Sequence, residues 1–271
     1  MTRGDDPEGE RIVTTHRSCG QLMLTTAIAR PEHRELLRGA LIGILAVTLS
    51  IVSASVLGVS QLHLSAAYLP KALLLFAAGV GLVLLALPRS HGFVRLGAGN
   101  QVTLVRGGLV ALLAGLLGEH GSPVTMAVAV AVASAAMMLD GVDGWLARRS
   151  GMESGFGARF DMETDALFVA VLALLVWQFD KAGPWVLLSG LMRYLFAAVV
   201  AIIPRLQRPV PSTNRGKTIA VLQMIALIVA LAPVCGHPAS AWVAAVGLLA
   251  LVLSFSLDVA WLLRQPVPDG S

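Results

Sequence analysis

Charged residues are scarce in this sequence. Asp, Glu, Lys and Arg make up 13% of the 271 residues and hydrophobic residues make up 56%, whereas soluble proteins have about 25% charged residues. This composition excludes a soluble globular protein. Apolar runs long enough for a helix to cross a hydrocarbon core of about 30 Å recur along the chain, without the alternation of barrel strands. The predicted fold class is therefore all-α, a polytopic transmembrane helical bundle.

Cysteine is also scarce, and its positions exclude a structural role for disulfides. Only Cys19 and Cys235 occur, and the topology below places them on opposite sides of the membrane, so no disulfide is expected. No apolar core with a cleavage site precedes the first span, so we expect no removable signal peptide.

Eight apolar segments are predicted as membrane spans. The fourth and fifth are each shorter than the roughly 20 apolar residues that a span needs, so the polar stretch between them must complete both helices. The predicted spans are 39–60, 72–88, 96–118, 123–139, 166–179, 185–203, 218–231 and 239–263.

Lysine and arginine are distributed unevenly between the two sides of this topology. The amino-terminal tail and the loops at 89–95, 148–159 and 205–217 share one side, whereas the other side receives only Lys71 and Lys181. Cytoplasmic loops are rich in Lys and Arg, so we expect a cytoplasmic amino terminus. The net charge of +4 is explained by these loops and not by a nucleic-acid partner. The predicted location is a bacterial inner membrane.

The densest group of charges lies between Asp140 and Asp165, flanked by two strongly apolar segments. On the fourth span, Asp140 and Asp143 lie on one helix face. On the fifth, Asp161 and Asp165 are one turn apart. The same two faces also carry Gly144, Ala147, Arg148 and Gly157. Two helices can therefore direct four carboxylates at one another on the cytoplasmic side.

Four carboxylates so close together need cations, because like charges and burial both disfavour the ionised state. No His or Cys belongs to the group, and oxygen ligands favour Mg²⁺, Mn²⁺ or Ca²⁺ over zinc. Two ions about 3.5–4 Å apart would suit phosphoryl transfer. The small residues leave room for a ligand such as a nucleotide, and Arg148 offers a fork for phosphate. The alternative is a set of solvated carboxylates, or of carboxylates paired with Arg148, Arg149 and Arg159.

Written as D-x2-D-G-x2-A-R-x8-G-x3-D-x3-D, residues 140–165 resemble the signature of the CDP-alcohol phosphotransferase family at all eight fixed positions. The resemblance covers residues 92–263 and implies a six-helix domain. This leaves a cytoplasmic tail over 1–38, two extra transmembrane helices over 39–91 and a carboxy-terminal tail over 264–271. It also implies a homodimer.

The resemblance further implies a reaction in which an alcohol hydroxyl attacks the β-phosphorus of a CDP-linked alcohol and CMP leaves. Asp140, Asp143, Asp161 and Asp165 would hold two Mg²⁺ or Mn²⁺ ions, and Asp165 would also be the general base. The positions that resemble CDP contacts of the family are Asn100, Thr103, Arg106, Gly144, Ala147, Arg148, Ser154 and Gly157.

An arginine in the middle of the sixth span, Arg193, has two open interpretations. An intramembrane arginine marks a functional site by default, so it could hold a phosphate-bearing acceptor, or it could form an internal ion pair. Basic residues of the following loop could dock the same phosphate or could be ordinary cytoplasmic charge; they are Arg205, Arg208, Arg215 and Lys217. Ala220 departs from a later family motif, which has threonine there.

The predicted function is the transfer of a phosphatidyl group from CDP-diacylglycerol to a small polar alcohol, phosphorylated alcohols included, with release of CMP. The alternative is the transfer of a phosphoalcohol from a soluble CDP-alcohol to a lipid hydroxyl. From another class, a divalent-cation transporter would spread its acidic residues through the membrane depth, whereas all four here lie toward one side.

Overall fold

The computed structural model describes residues 31–86, 98–150, 155–202 and 214–264. Every regular element among these residues is helical, which confirms the all-α class. The elements are α1 (Pro31–Leu62), α2 (Tyr68–Ala86), α3 (Ala98–Gly115), α4 (Pro123–Ser150), α5 (Gly155–Gln178), a 3₁₀ turn (Pro184–Leu187), α6 (Leu188–Ile202), α7 (Asn214–Leu231) and α8 (Ala239–Arg264).

The polar stretch around the aspartates is helical on both sides, as the short fourth and fifth apolar segments predict. Helix α4 begins at Pro123, where Ser122 accepts a hydrogen bond from the Thr125 backbone N–H and caps the first turn. It then runs without interruption through Asp140 to Ser150. Helix α5 begins at Gly155, before the first aspartate that it carries.

Two helix starts differ from the predicted spans. Helix α1 begins at Pro31 rather than near residue 39, because the residues between favour helix and need not be apolar to do so. The sixth apolar segment begins with the 3₁₀ turn that follows Gly183, and regular α-helix starts only at Leu188.

Three helices of the described ranges are long and apolar enough to cross a membrane, within Arg38–Leu62, Pro123–Val142 and Ala239–Trp261. Their outer surfaces remain apolar: Leu45 on α1 and Leu249 on α8 are about 60% exposed. Large apolar side chains exposed in rows are typical of a surface that faces lipid. The chain is an integral membrane protein, while the count of eight spans and the cytoplasmic amino terminus stay predictions.

Helix α5 lies at the centre of the bundle and packs against α3, α6 and α7. Its residues Phe168, Leu172 and Leu175 are fully buried and join the main hydrophobic core. Because this helix is enclosed on several sides, the polar residues at its two ends are fixed by neighbours from other helices.

The two amino-terminal helices pack on α3 at glycines. A Cβ atom at Gly108 would lie 2.5 Å from Val47, and one at Gly115 would lie 2.7 Å from the Tyr68 ring. Small residues at such contacts let membrane helices approach closely. Helices α1 and α2 are therefore fitted to α3, with a second core of their own that includes Ile51 and Phe76.

Candidate active site

Three of the predicted metal ligands come together at one end of the bundle. Asp140 is supplied by α4, and Asp161 and Asp165 lie one turn apart on α5. One carboxylate oxygen of each lies within 4.8 Å of the others. Helix α3 packs against both α4 and α5, so it brings the two acidic faces to a common point.

A buried arginine of α3 occupies the centre of this group. The Nη1 atom of Arg106 lies 2.8 Å from an oxygen of Asp140 and 2.6 Å from an oxygen of Asp161. Its Nη2 atom donates to Asp165. The Arg106 side chain is only 2% exposed, whereas the three carboxylates are partly open to the surface. The guanidinium therefore links carboxylates from two helices.

The described contacts of this group join three carboxylates to one guanidinium. These four groups by themselves carry a net charge of −2 when all are ionised. Oxygen-only donors match the preference of Mg²⁺ and Mn²⁺. The carboxylates are close enough together, and exposed enough, to take such an ion, so the residues fit the predicted metal.

A cavity of about 220 Å³ adjoins Asp165 between α5, α6, α7 and α8. Its lining is mainly apolar and includes Met162, Ala220 and Phe255. Asp165 thus borders both the carboxylate group and an open space of molecular size. A group bound in this cavity could reach the same carboxylate that contacts Arg106.

The cavity has one neutral polar wall. Gln223 of α7 is 1% exposed, and its Nε2 donates to the Ser189 Oγ at 2.8 Å. The Gln223 Oε1 has no hydrogen-bond partner among the described residues. The Oε1 atom is buried against Gly247 of α8, where a Cβ atom would lie 2.5 Å away, so the amide holds Ser189 at the cavity.

Two arginines that were predicted to bind the acceptor are paired with carboxylates. Arg193, which lines the cavity, has its Nη2 atom 2.5 Å from an oxygen of Glu163. Arg215 of α7 makes an ion pair of the same length with Asp258 of α8. Arg193 therefore has the internal ion pair that one of its two interpretations predicts.

A sequence model of the CDP-alcohol phosphatidyltransferase family matches residues 96–256, more than half of the chain. The chain belongs to this family. No curated protein and no solved structure matches it. The match begins just before α3 and includes the aspartate-rich stretch, so α1 and α2 lie wholly outside the matched residues.

The remaining predicted site residues of this family member fall into two groups. Thr103 is buried on α3, one turn before Arg106. Several predicted residues lie in helices, but their side-chain surroundings are outside the described part of the structure: Asn100 on α3, Asp143, Gly144, Ala147 and Arg148 on α4, and Gly157 on α5. Ser154, Arg205 and Arg208 lie outside the described residues altogether. Lys217 is exposed in the first turn of α7.

Sequence reasoning missed the contact between Arg106 and the aspartates. It associated Arg106 with CDP, although an arginine in the opening turns of an apolar helix needs an acidic partner on a neighbouring helix, and that signal was present. The pairing of Ser189 with Gln223 had no comparable signal, because a lone serine in an apolar segment is common.

Proposed function

We propose that this CDP-alcohol phosphatidyltransferase moves a phosphatidyl group from CDP-diacylglycerol to a small polar alcohol and releases CMP. The family accounts for the transfer of a phosphatidyl group or phosphoalcohol from a CDP-alcohol. The observation that carries the proposal is the convergence of Asp140, Asp161 and Asp165 beside a cavity. Membership of a family of transferases argues against the transporter alternative.

The carboxylate group provides the place for divalent cations. Asp140, Asp161 and Asp165, with Asp143 of the same motif, would hold Mg²⁺ or Mn²⁺, which neutralises phosphate charge and polarises the phosphorus–oxygen bonds. The close approach of three partly exposed carboxylates supports this role, because like charges so near one another are stabilised by a bound cation.

Asp165 is the residue best placed to take the acceptor's proton. It lines the cavity, so a hydroxyl bound there can approach its carboxylate, whereas Asp140 does not line the cavity. Arg106 donates to Asp165 and restricts its orientation. In the proposed reaction the acceptor oxygen attacks the β-phosphorus as Asp165 accepts its hydrogen, and CMP leaves with the electron pair of the broken bond.

A second version of the reaction is supported by the apolar lining of the cavity. Met162, Met224 and Phe255 offer contact to a hydrocarbon rather than to a polyol. On this version a phosphoalcohol passes from a soluble CDP-alcohol to a lipid hydroxyl, and Asp165 has the same task.

The test is CMP release by the purified protein with Mg²⁺ or Mn²⁺. CDP-diacylglycerol is offered with a panel of small alcohols, and soluble CDP-alcohols are offered with diacylglycerol. Asp165→Asn should reduce the rate by about 10²–10⁴-fold, the range for a lost general base. Asp180→Asn, at the opposite end of the bundle, is the matched control. Full activity of Asp165→Asn would contradict the base assignment, and absence of CMP release with every pair would contradict the proposed function.

A further inference from the structure

The charge around the cavity beside Asp165 is decided by a residue that the family signature leaves free. Glu163 lies between Asp161 and Asp165 in sequence, at one of the variable positions of the motif. Its carboxylate holds Arg193, with 2.5 Å between Oε1 and Nη2, and it accepts from the Tyr194 hydroxyl at 3.4 Å. The one arginine that lines the cavity is thereby neutralised.

A phosphate group entering the cavity would find the described arginine of its lining already paired. Among the described lining residues, Asp165 is the acidic one and Arg193 is the basic one. Asp165 is paired with Arg106, and Arg193 is paired with Glu163. An anion would also have to compete with the Glu163 carboxylate for the same guanidinium.

The other described cations of the region do not compensate. Arg215 is held by Asp258. Lys217 is exposed in the first turn of α7 and is not part of the cavity lining. Among the described residues, the cavity wall next to Asp165 therefore has no positive charge that is not already paired.

The cavity lining also includes two neutral polar residues, Ser189 and Gln223. Ser189 accepts from Gln223 and keeps its own hydroxyl hydrogen for donation. The Gln223 Oε1 is buried against Gly247 of α8, where a Cβ atom would lie 2.5 Å away, so Gln223 acts by holding Ser189. A neutral hydroxyl donor of this kind matches a hydroxyl or carbonyl group.

We infer that the acceptor is an alcohol without a phosphate group, and that Glu163 sets this preference by occupying Arg193. This conclusion rests on the proposed function and narrows its acceptor to one charge class. Ser189, held by Gln223, then acts as a specificity residue that binds a second polar group of the same alcohol. Glu163 is a positioning residue, because it acts through Arg193 and does not touch the reacting atoms.

The experiment compares matched acceptors that differ only by phosphate: glycerol against glycerol 3-phosphate, and inositol against inositol 3-phosphate. CMP release is measured with CDP-diacylglycerol, and with a soluble CDP-alcohol and monoacylglycerol against lysophosphatidic acid, which both keep a free hydroxyl. The native protein should use the member of each pair that lacks the phosphate. Glu163→Gln should raise the rate ratio of phosphorylated to neutral acceptor by roughly tenfold, the equivalent of about one charge interaction at a partly exposed site.

Three further variants test whether the pair of Glu163 with Arg193 causes this change in the rate ratio. Arg193→Gln combined with Glu163→Gln should cancel the tenfold gain, because the phosphate then has no guanidinium to bind. Gln223→Leu should raise KM for the neutral acceptor more than it lowers kcat. Asp180→Asn removes a distant carboxylate and should leave the ratio unchanged. In every variant, CMP with Mn²⁺ should still raise the melting temperature, which shows that the fold and donor site are intact.

The outcomes distinguish failure of the acceptor's charge preference from failure of the proposed transferase function. If the native protein prefers the phosphorylated acceptors while still releasing CMP, the transferase stands and the charge preference is wrong. Loss of such a preference in Lys217→Gln would show that Lys217 binds the phosphate, which also overturns the role of Glu163. If CMP neither binds nor is released, the proposed function fails and the acceptor class fails with it.

Discussion

The two ends of α5 both carry buried polar groups, but their charges are arranged differently. At the carboxy-terminal end, the Gln178 amide accepts from Gly118 N–H and donates to the carbonyls of Leu116 and Glu119. The neighbouring Glu119 pairs with Lys71 at 2.8 Å and accepts two hydrogen bonds from Ser65. Lys181 at this end donates to the carbonyls of Ala232 and Cys235.

At the other end of α5, three carboxylates share the single guanidinium of Arg106. We call the first the balanced end, because Glu119 and Lys71 are paired one to one, and the second the unbalanced end. A one-to-one pair with its hydrogen bonds formed holds a loop in place, whereas clustered carboxylates are candidates for binding a cation.

The largest effect should come from Asp161→Asn, which removes one carboxylate of the unbalanced end. CMP release should fall by about a hundredfold or more, in the range for losing a charge-stabilising group, while stability without metal is retained because like-charge repulsion falls. Gln178→Leu is the matched change at the balanced end and should lower the melting temperature with full activity per folded molecule. Equal losses of activity in the two variants would contradict the proposed difference between the two ends of α5.

Arg106→Gln should have the next largest effect. Removing the buried partner of three carboxylates should cost about 3–5 kcal/mol of unfolding free energy without metal, and Mn²⁺ should restore more stability to this variant than to the native protein. Thermal unfolding in detergent, with and without Mn²⁺, measures both quantities. Arg193→Gln breaks a partly exposed pair and should cost no more than about 1 kcal/mol. A loss of the same size in both variants would contradict the difference in burial.

Glu119→Gln should destabilise the fold by less than Arg106→Gln does, by about 1–3 kcal/mol. Burial by itself would raise the pKa of Glu119, but hydrogen bonds from Lys71 and Ser65 and the charge of Lys71 outweigh it, so the pKa lies below its ordinary value of 4.5. The carboxylate therefore stabilises the fold above about pH 4.5, and this contribution is lost as the pH falls through the lowered pKa.

Unfolding of the native protein and of Glu119→Gln should be compared between pH 7 and pH 4. The difference in melting temperature should be largest at pH 7 and should shrink on acidification. CMP release at pH 7 should be unchanged per folded molecule. A difference that grows toward low pH would show that Glu119 is protonated in the folded state at neutral pH.

Much of the helical framework could be predicted from hydropathy. The apolar segments locate the eight helices of the described residues, and the shortness of the fourth and fifth segments predicted that the aspartates continue α4 and α5. The starts of α1 and α6 could not be predicted in the same way. Helix propensity extends α1 beyond its apolar part, and the local geometry around Pro184 delays α6.

The site was predictable where one helix face carries it and not where several helices meet. Spacing grouped Asp140, Asp161 and Asp165 because the helical period alone puts them on the facing sides of two neighbouring helices. The position of Arg106 among them depends on how α3 packs against α4 and α5. The ion pair of Glu163 with Arg193 joins residues 30 positions apart, which no local pattern can indicate.

The sequence by itself determined a helical membrane protein, its family and the residues that supply carboxylates for a metal site, because composition and helical period are properties of single segments. Only the tertiary structure decided which charges are paired with one another. Charge balance depends on distances of 3–4 Å between side chains of different helices, and those distances exist only once the helices have packed.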